Sequence, residues 1–349
     1  MLSLELLILL GIVGAYFIYR FYLNFMCNDR NRSVPYSPMI EESIGYMEIA
    51  KGSRTVTNTN YPNLNLSISN LQHSVNFLTD IRPYRHYDNV ESLDKVASFI
   101  ENQFKDYGLA TKMQIFNVEG EQYKNIIATY GQKTEEKIVI GAHYDVCGNQ
   151  TGADDNASAV AGLLEIARLF ALHNLASKYQ IEFVAYSLEE PPFFGTDNMG
   201  SYIHAKSLHD NREKINCMIC LEMIGYFTDK ENSQNYPIEA MKAIYPTIGN
   251  FIAVVGNSSS GSLVSEITTH IKAASINVQK LEAPVNLPGI DFSDHRNYWY
   301  FGYKAVMITD SAFYRNPHYH RASDTADTLD YAKMGEVVKG ITWALLNKN

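Results

Sequence analysis

From about residue 71 to the C-terminus, short continuous apolar runs alternate with apolar residues at helical spacing. In ESLDKVASFIENQFKDYG, Leu93, Val96, Ile100 and Phe104 fall three or four positions apart, which predicts a one-striped helix that Gly108 stops. TKMQIFNV and YKNIIATYG read as paired strands, and EEKIVIGAHYDV as a buried strand with a polar carboxyl end. ASAVAGLLEIARLFALHN is apolar nearly all round, with Asp154, Asp155 and Asn156 at its start, where carboxylates favour a helix N-terminus. The alternation repeats. IEFVAYSLEE precedes a short helix near NMGSYIHAKSL, and NCMICLEMIGY is a strand. FIAVVGN precedes the helix SLVSEITTHIKAA, and YKAVMITDSAF precedes a closing helix from about Ala326 to Leu346. Strands alternating with helices predict an α/β fold, with a mostly parallel central sheet covered by helices on both faces, as one globular domain over residues 70–349.

The N-terminus follows neither pattern. LLILLGIVGAYFIY (6–19) carries no charge, and mostly apolar residues resume from Phe21 to Phe25. Fourteen apolar residues are short for a membrane span, but there is no basic leader and no small-x-small cleavage site before Cys27. With Arg20 snorkelling to the interface, the usable span reaches roughly twenty residues. We therefore expect an uncleaved hydrophobic anchor helix over residues 1–27, making the protein single-pass. Residues 28–69, polar and turn-rich, read as a linker or wrapping arm. Arg20, Arg30 and Arg32 follow the apolar run while only Glu5 and the terminal amine precede it, a bias that favours a cytoplasmic domain.

Charge narrows the partners. The chain has 29 basic and 38 acidic residues, a net charge of −9, and no Lys/Arg-rich run, so it lacks a nucleic-acid footprint. Four cysteines in 349 residues are too few for a disulfide scaffold, and the spacing of Cys217 and Cys220 puts them on opposite faces of a strand.

In sheets of this kind ligands gather beyond the carboxyl ends of the strands. Three apolar runs end there in His143 and Asp145, in Glu189 and Glu190, and in Glu222, and the loop RNPHYHRASDT can bring His320 to the same edge. GAHYDVCGNQTGADDNASA also crowds Asp145, Asp154 and Asp155 around His143, which requires open water or a cation between them. His143 and Asp145 share a strand face, while the adjacent Glu189 and Glu190 diverge, so one can ligate and the other act as a base. Asp155, Glu222 and His320 complete a nitrogen and oxygen set without thiolates, suited to Zn²⁺ or a similar divalent ion. Two imidazoles and three carboxylates over-supply one ion. Two ions bridged by a carboxylate fit the count.

GAHYDVCGNQTGADDNASA, SLEEPPFFGTDNMGS, CLEMIGY, SDHRNYW and NPHYHRASDT, in that order, resemble the zinc aminopeptidases of metallopeptidase family twenty-eight, over roughly residues 70–349. The resemblance implies that His143 and Glu222 bind one metal and Glu190 and His320 the other, with Asp155 bridging. It implies Glu189 as general base, Asp145 as the partner of His143, and Tyr319 as a phenol that steadies the tetrahedral intermediate in some members. It also implies a cis peptide between Asp155 and Asn156. Many members carry Asp where Glu222 stands, so the longer side chain alters the fine geometry. The function implied is hydrolysis of N-terminal residues from peptides, with two zinc ions. Two alternatives share the fold: glutaminyl cyclases, which work with one zinc, and inactive binding ectodomains, which tend to lose ligands that this chain retains. Many relatives are exported, opposite to the side that the arginines favour.

Taken one at a time these residues have plainer readings. Asp154 and Asp155 would cap a helix, Glu189 and Glu190 would sit in a solvated loop, and His320 would be a surface histidine. Their joint occurrence overrides those readings.

Overall fold

The computed structural model describes residues 64–274 and 276–348. The predicted anchor, and the arm as far as residue 63, lie outside the described residues; among the described residues no helix is long and apolar enough to cross a membrane. The last residues of the predicted arm lie on the domain. Ser67 donates its N–H to Glu165 Oε1 at 2.7 Å, and Arg168 Nη2 donates to Asn65 O at 2.6 Å. Ser67 then caps helix α1 (Ile68–Asp80) by accepting from Asn70 N–H.

The predicted stripe Leu93, Val96, Ile100 and Phe104 is buried along α2 (Val90–Asp106). Strands β1 (Ala110–Val118) and β2 (Glu121–Tyr130) form a hairpin whose two-residue turn, Glu119 and Gly120, has φ of 53° and 95°. Such a turn matches strand twist and forces antiparallel pairing. Then follow β3 (Glu136–His143), α3 (Ala159–Leu172), β4 (Gln180–Tyr186), α4 (Gly200–Asp210) and β5 (Lys214–Glu222). The C-terminal part adds β6 (Ile252–Gly256), α5 (Gly261–Lys272), β7 (Val278–Glu282), α6 (His295–Tyr300), β8 (Ala305–Thr309) and α7 (Tyr331–Leu346).

One eight-stranded sheet runs in the order β1-β2-β4-β3-β5-β8-β6-β7. The expectation of a mostly parallel sheet is corrected here, because the sheet is mixed. β4, β3, β5 and β8 pair in parallel, as do β6 and β7, but β1 with β2, β2 with β4, and β6 with β8 pair antiparallel. A continuous apolar run shows burial on both faces but not strand direction.

Both faces are covered. One core joins Leu71, Leu93, Leu163, Val264 and Val337 from α1, α2, α3, α5 and α7 to one side of the sheet. The other joins Ala205 of α4 and Tyr298 of α6 to the opposite side. Cys217 belongs to the first core and Cys220 to the second, as their spacing required. The parallel block β4-β3-β5 matters most for function: it brings three strand ends to one edge.

Candidate metal centre

His143 is the last residue of β3, paired in register with Tyr186 at the end of β4, and Glu222 is the last residue of β5. At this edge His143 Nε2 lies 3.4 Å from Asp155 Oδ1, 3.4 Å from Glu222 Oε2 and 3.7 Å from Glu189 Oε2. The second oxygen of Asp155 faces the other imidazole, His320 Nε2, at 3.1 Å, and Glu190 Oε2 lies 3.3 Å from the same nitrogen. All six side chains are buried. The structure therefore gathers His143, Asp155, Glu189, Glu190, Glu222 and His320 into one cluster with Asp155 at its middle.

Local structure fixes each donor. Asp145 accepts the N–H groups of Glu189 at 3.2 Å and Glu190 at 3.0 Å through separate oxygens, so one carboxylate clamps the loop after β4. It also lies 3.5 Å from His143 Nδ1. The amides of Asp154 and Asp155 donate to the two oxygens of Asp324 at 2.9 and 3.1 Å. Asn156 accepts from Met223 N–H and donates to Leu221 O, joining the segment to the end of β5. The Asp155–Asn156 peptide is cis, as the resemblance implied. Gly152, with φ of 59°, has no room for a Cβ, which would lie 2.3 Å from Asp155 O. His320 sits in the left-handed region at φ 54°, and the Tyr319 ring stacks on it with centroids 3.8 Å apart.

The helix-cap reading of Asp154 does not hold. Its carboxyl accepts from Gly225 N–H at 3.0 Å and Asn316 Nδ2 at 2.7 Å, and the α3 N-terminus has no side-chain cap.

The cluster fits a cation. Both ring nitrogens of His143 and of His320, together with Glu190 Oε1, are buried without a hydrogen bond, a costly state unless something else satisfies them. Ligand atoms of His143, Asp155 and Glu190, and of His143, Glu189 and Glu222, all lie within 4.8 Å of one another in each group. Burial, with Asp155 adding to it, pushes Glu190 up to about 8, and burial outweighs His143 in raising Glu189 well above the carboxylate range. Burial would lower both imidazoles, but Glu189 and Glu222 hold His143 well above its usual value, and Glu190 and Asp155 do so for His320. A divalent ion among them would supply positive charge that favours the ionised carboxylates.

Several supporting residues carried no distinct signal in the sequence. Ser293 Oγ donates to Glu222 Oε2 at 2.6 Å, and neighbouring Asp294 is fully buried with neither carboxyl oxygen hydrogen-bonded. Both lie inside SDHRNYW, and Asp324 lies in the motif of His320, so the motifs contained them without indicating their roles. Arg85, buried and donating to Leu78 O, Thr151 O and Gly152 O, had no signal at all. Beside the cluster opens a cleft walled by Tyr236, Tyr245, Phe251, Tyr314 and Tyr319, with Glu222 among its lining residues.

A mixed α/β sheet that presents imidazoles and carboxylates at the ends of its parallel strands, beside an apolar cleft, offers a site for divalent cations. The chain matches Peptidase family M28 over residues 125–344 and belongs to that family, which makes it a metal-dependent peptidase. It is 44% identical over 286 residues to the uncharacterized protein YfbL of Escherichia coli (strain K12), covering 79% of this chain and 87% of that one. It is 24% identical over 290 residues to a probable leucine aminopeptidase of Arthroderma otae, covering 79% and 71%. Its fold is similar to a Bacteroides thetaiotaomicron glutaminyl cyclase, with a TM-score of 0.62, 16% identity and coverage of 82% and 100%.

Proposed function

We propose that this chain is an aminopeptidase that removes N-terminal residues from peptides with two divalent cations, Zn²⁺ in the first instance. The observation that carries the proposal is Asp155, whose two oxygens face different imidazoles at 3.4 and 3.1 Å. His143 and Glu222 would hold one ion, Glu190 and His320 the other, and Asp155 would bridge. Bound there, the ions supply Lewis acidity that lowers the pKa of water and polarises the scissile carbonyl.

The remaining work falls to the chain's own groups. Glu189 takes a proton from the attacking water and delivers it to the departing amine, a role supported by its buried position 3.7 Å from His143. Asp145 fixes the Glu189–Glu190 backbone and faces His143. Tyr319, on the cleft wall and stacked on His320, would steady the tetrahedral intermediate with its phenol. The aromatic cleft accepts the substrate's N-terminal side chain and excludes water. The likeness to a probable leucine aminopeptidase supports this reading. The apolar run at 6–19 would tether the catalytic domain, residues 70–349, to a membrane through the arm at 28–69.

The fold is shared with a glutaminyl cyclase, so the assay must separate the two chemistries. The purified chain should hydrolyse aminoacyl anilides with a free amine, spare their N-acetylated forms, and stop with a chelator. Cyclisation of an N-terminal glutamine peptide without anilide hydrolysis would replace the proposal.

A further inference from the structure

The strand end that supplies His143 continues into a loop whose Val146 N–H donates to Arg85 O at 3.1 Å, which fixes the position of the next residue, Cys147. Cys147 is buried and not in a disulfide. Its Sγ, a carboxylate oxygen of Glu190 and a ring nitrogen of His320 all lie within 4.8 Å of one another. An independent observation marks the same spot. Glu190 Oε1 and both nitrogens of His320 are buried with no hydrogen-bond partner, on side chains 4% and 3% exposed. Unsatisfied donors and acceptors converging beside a sulfur are the arrangement of ligands around a soft or borderline cation.

We propose that Cys147 is a thiolate ligand of the cation held by Glu190 and His320. The assignment presupposes the two-cation centre and goes beyond it, since nitrogen and oxygen ligands alone complete that centre. On binding, the thiol proton passes to solvent and a sulfur lone pair goes to the cation, with no change of oxidation state. The two positions then differ in chemistry. The one at His143 and Glu222 offers nitrogen and oxygen, whereas the one at Glu190 and His320 adds sulfur and selects zinc over magnesium or manganese. The bound thiolate is also shielded from electrophiles that would react with it in the metal-free protein.

The test uses the full chain, stripped of metal and reloaded with Co²⁺. Cobalt-loaded wild type should show a thiolate-to-cobalt charge-transfer absorption in the near ultraviolet. C147S should lose that band while retaining bound cobalt and its visible ligand-field bands. In unmodified wild type, iodoacetamide labelling of Cys147, read by peptide mapping, should fall about tenfold at free metal tenfold above its Kd. Two cobalt ions bound without a charge-transfer band, an unchanged band in C147S, or equal labelling with and without metal would overturn the cysteine assignment alone. A chain that takes up no cobalt would overturn both it and the metal centre.

Discussion

Each oxygen of Asp155 faces a different imidazole and its amide is held by Asp324, which makes it the residue that would join the two halves of the proposed centre. As a bridge it should affect both ions at once. Asp155→Asn is expected to lower total metal content more than Glu222→Asp, which shortens a single arm and keeps its carboxylate. Equal occupancy in the two variants by elemental analysis would count against bridging. Glu189 stands one residue before Glu190 and faces His143 at 3.7 Å. Glu189→Gln should keep its metals and lose turnover by roughly 10²- to 10⁴-fold, the usual worth of a general base. Retained turnover at full metal content would move the base elsewhere. Of the residues the structure clusters, His143, Glu189, Glu190 and Glu222 were legible because they end or follow apolar runs, and Asp155 and His320 because they sit in polar motifs beside such runs. Ser293, Asp294 and Asp324 were not, because a hydrogen bond across 71 or 169 positions leaves no local pattern.

Elements were legible in kind and less so in direction. The stripe of α2 and the buried runs of β3, β4 and β5 appear where their periodicity puts them, and their parallel pairing accounts for the site. β6 appears where FIAVVGN puts it, but its antiparallel pairing with β8 leaves no mark in an apolar run, and the half-exposed β7, VQKLE, has no continuous apolar run to mark it. The closing helix α7 begins at Tyr331 rather than near Ala326, because the Asp330 side chain caps it by accepting from Lys333 N–H.

On the face opposite α3, the Tyr186 hydroxyl meets that of Tyr298 at 2.8 Å, and His204 Nδ1 of α4 lies 2.6 Å from the same Tyr298 hydroxyl. Burial first, then Lys137 and Lys112, pushes His204 down to about 3. Glu182 Oε2 is 3.7 Å from His204, but Lys137 engages that carboxylate at 2.8 Å, which blunts its pull on the imidazole. The native ring therefore refuses a proton that the unfolded chain accepts below its ordinary value of 6.5. The unfolded state binds more protons in that window, so stability rises with pH between about 3 and 6.5 and is lost on acidification. Denaturant unfolding of wild type and His204→Gln between those limits should show a flatter pH dependence for the variant. Parallel curves would show that His204 does not contribute.

At the scale of the whole molecule, one mixed sheet carries the centre, and the proposed anchor sets where that centre works. In fractionated cells the intact chain should sediment with membranes and resist protease added from outside, if the arginines after the apolar run fix its side. A domain recovered in the soluble fraction without its first thirty residues would contradict the anchor, and digestion from outside would contradict the cytoplasmic side.

The central claim is that two cations, joined by Asp155, make this fold an aminopeptidase. The most direct test is to titrate Zn²⁺ into the chelator-stripped full chain while following hydrolysis of a free-amine leucyl anilide. The predicted outcome is activity that reaches its plateau only when two zinc ions are bound per chain. Full activity at one bound ion, or two bound ions with no hydrolysis of any free-amine anilide, would contradict it.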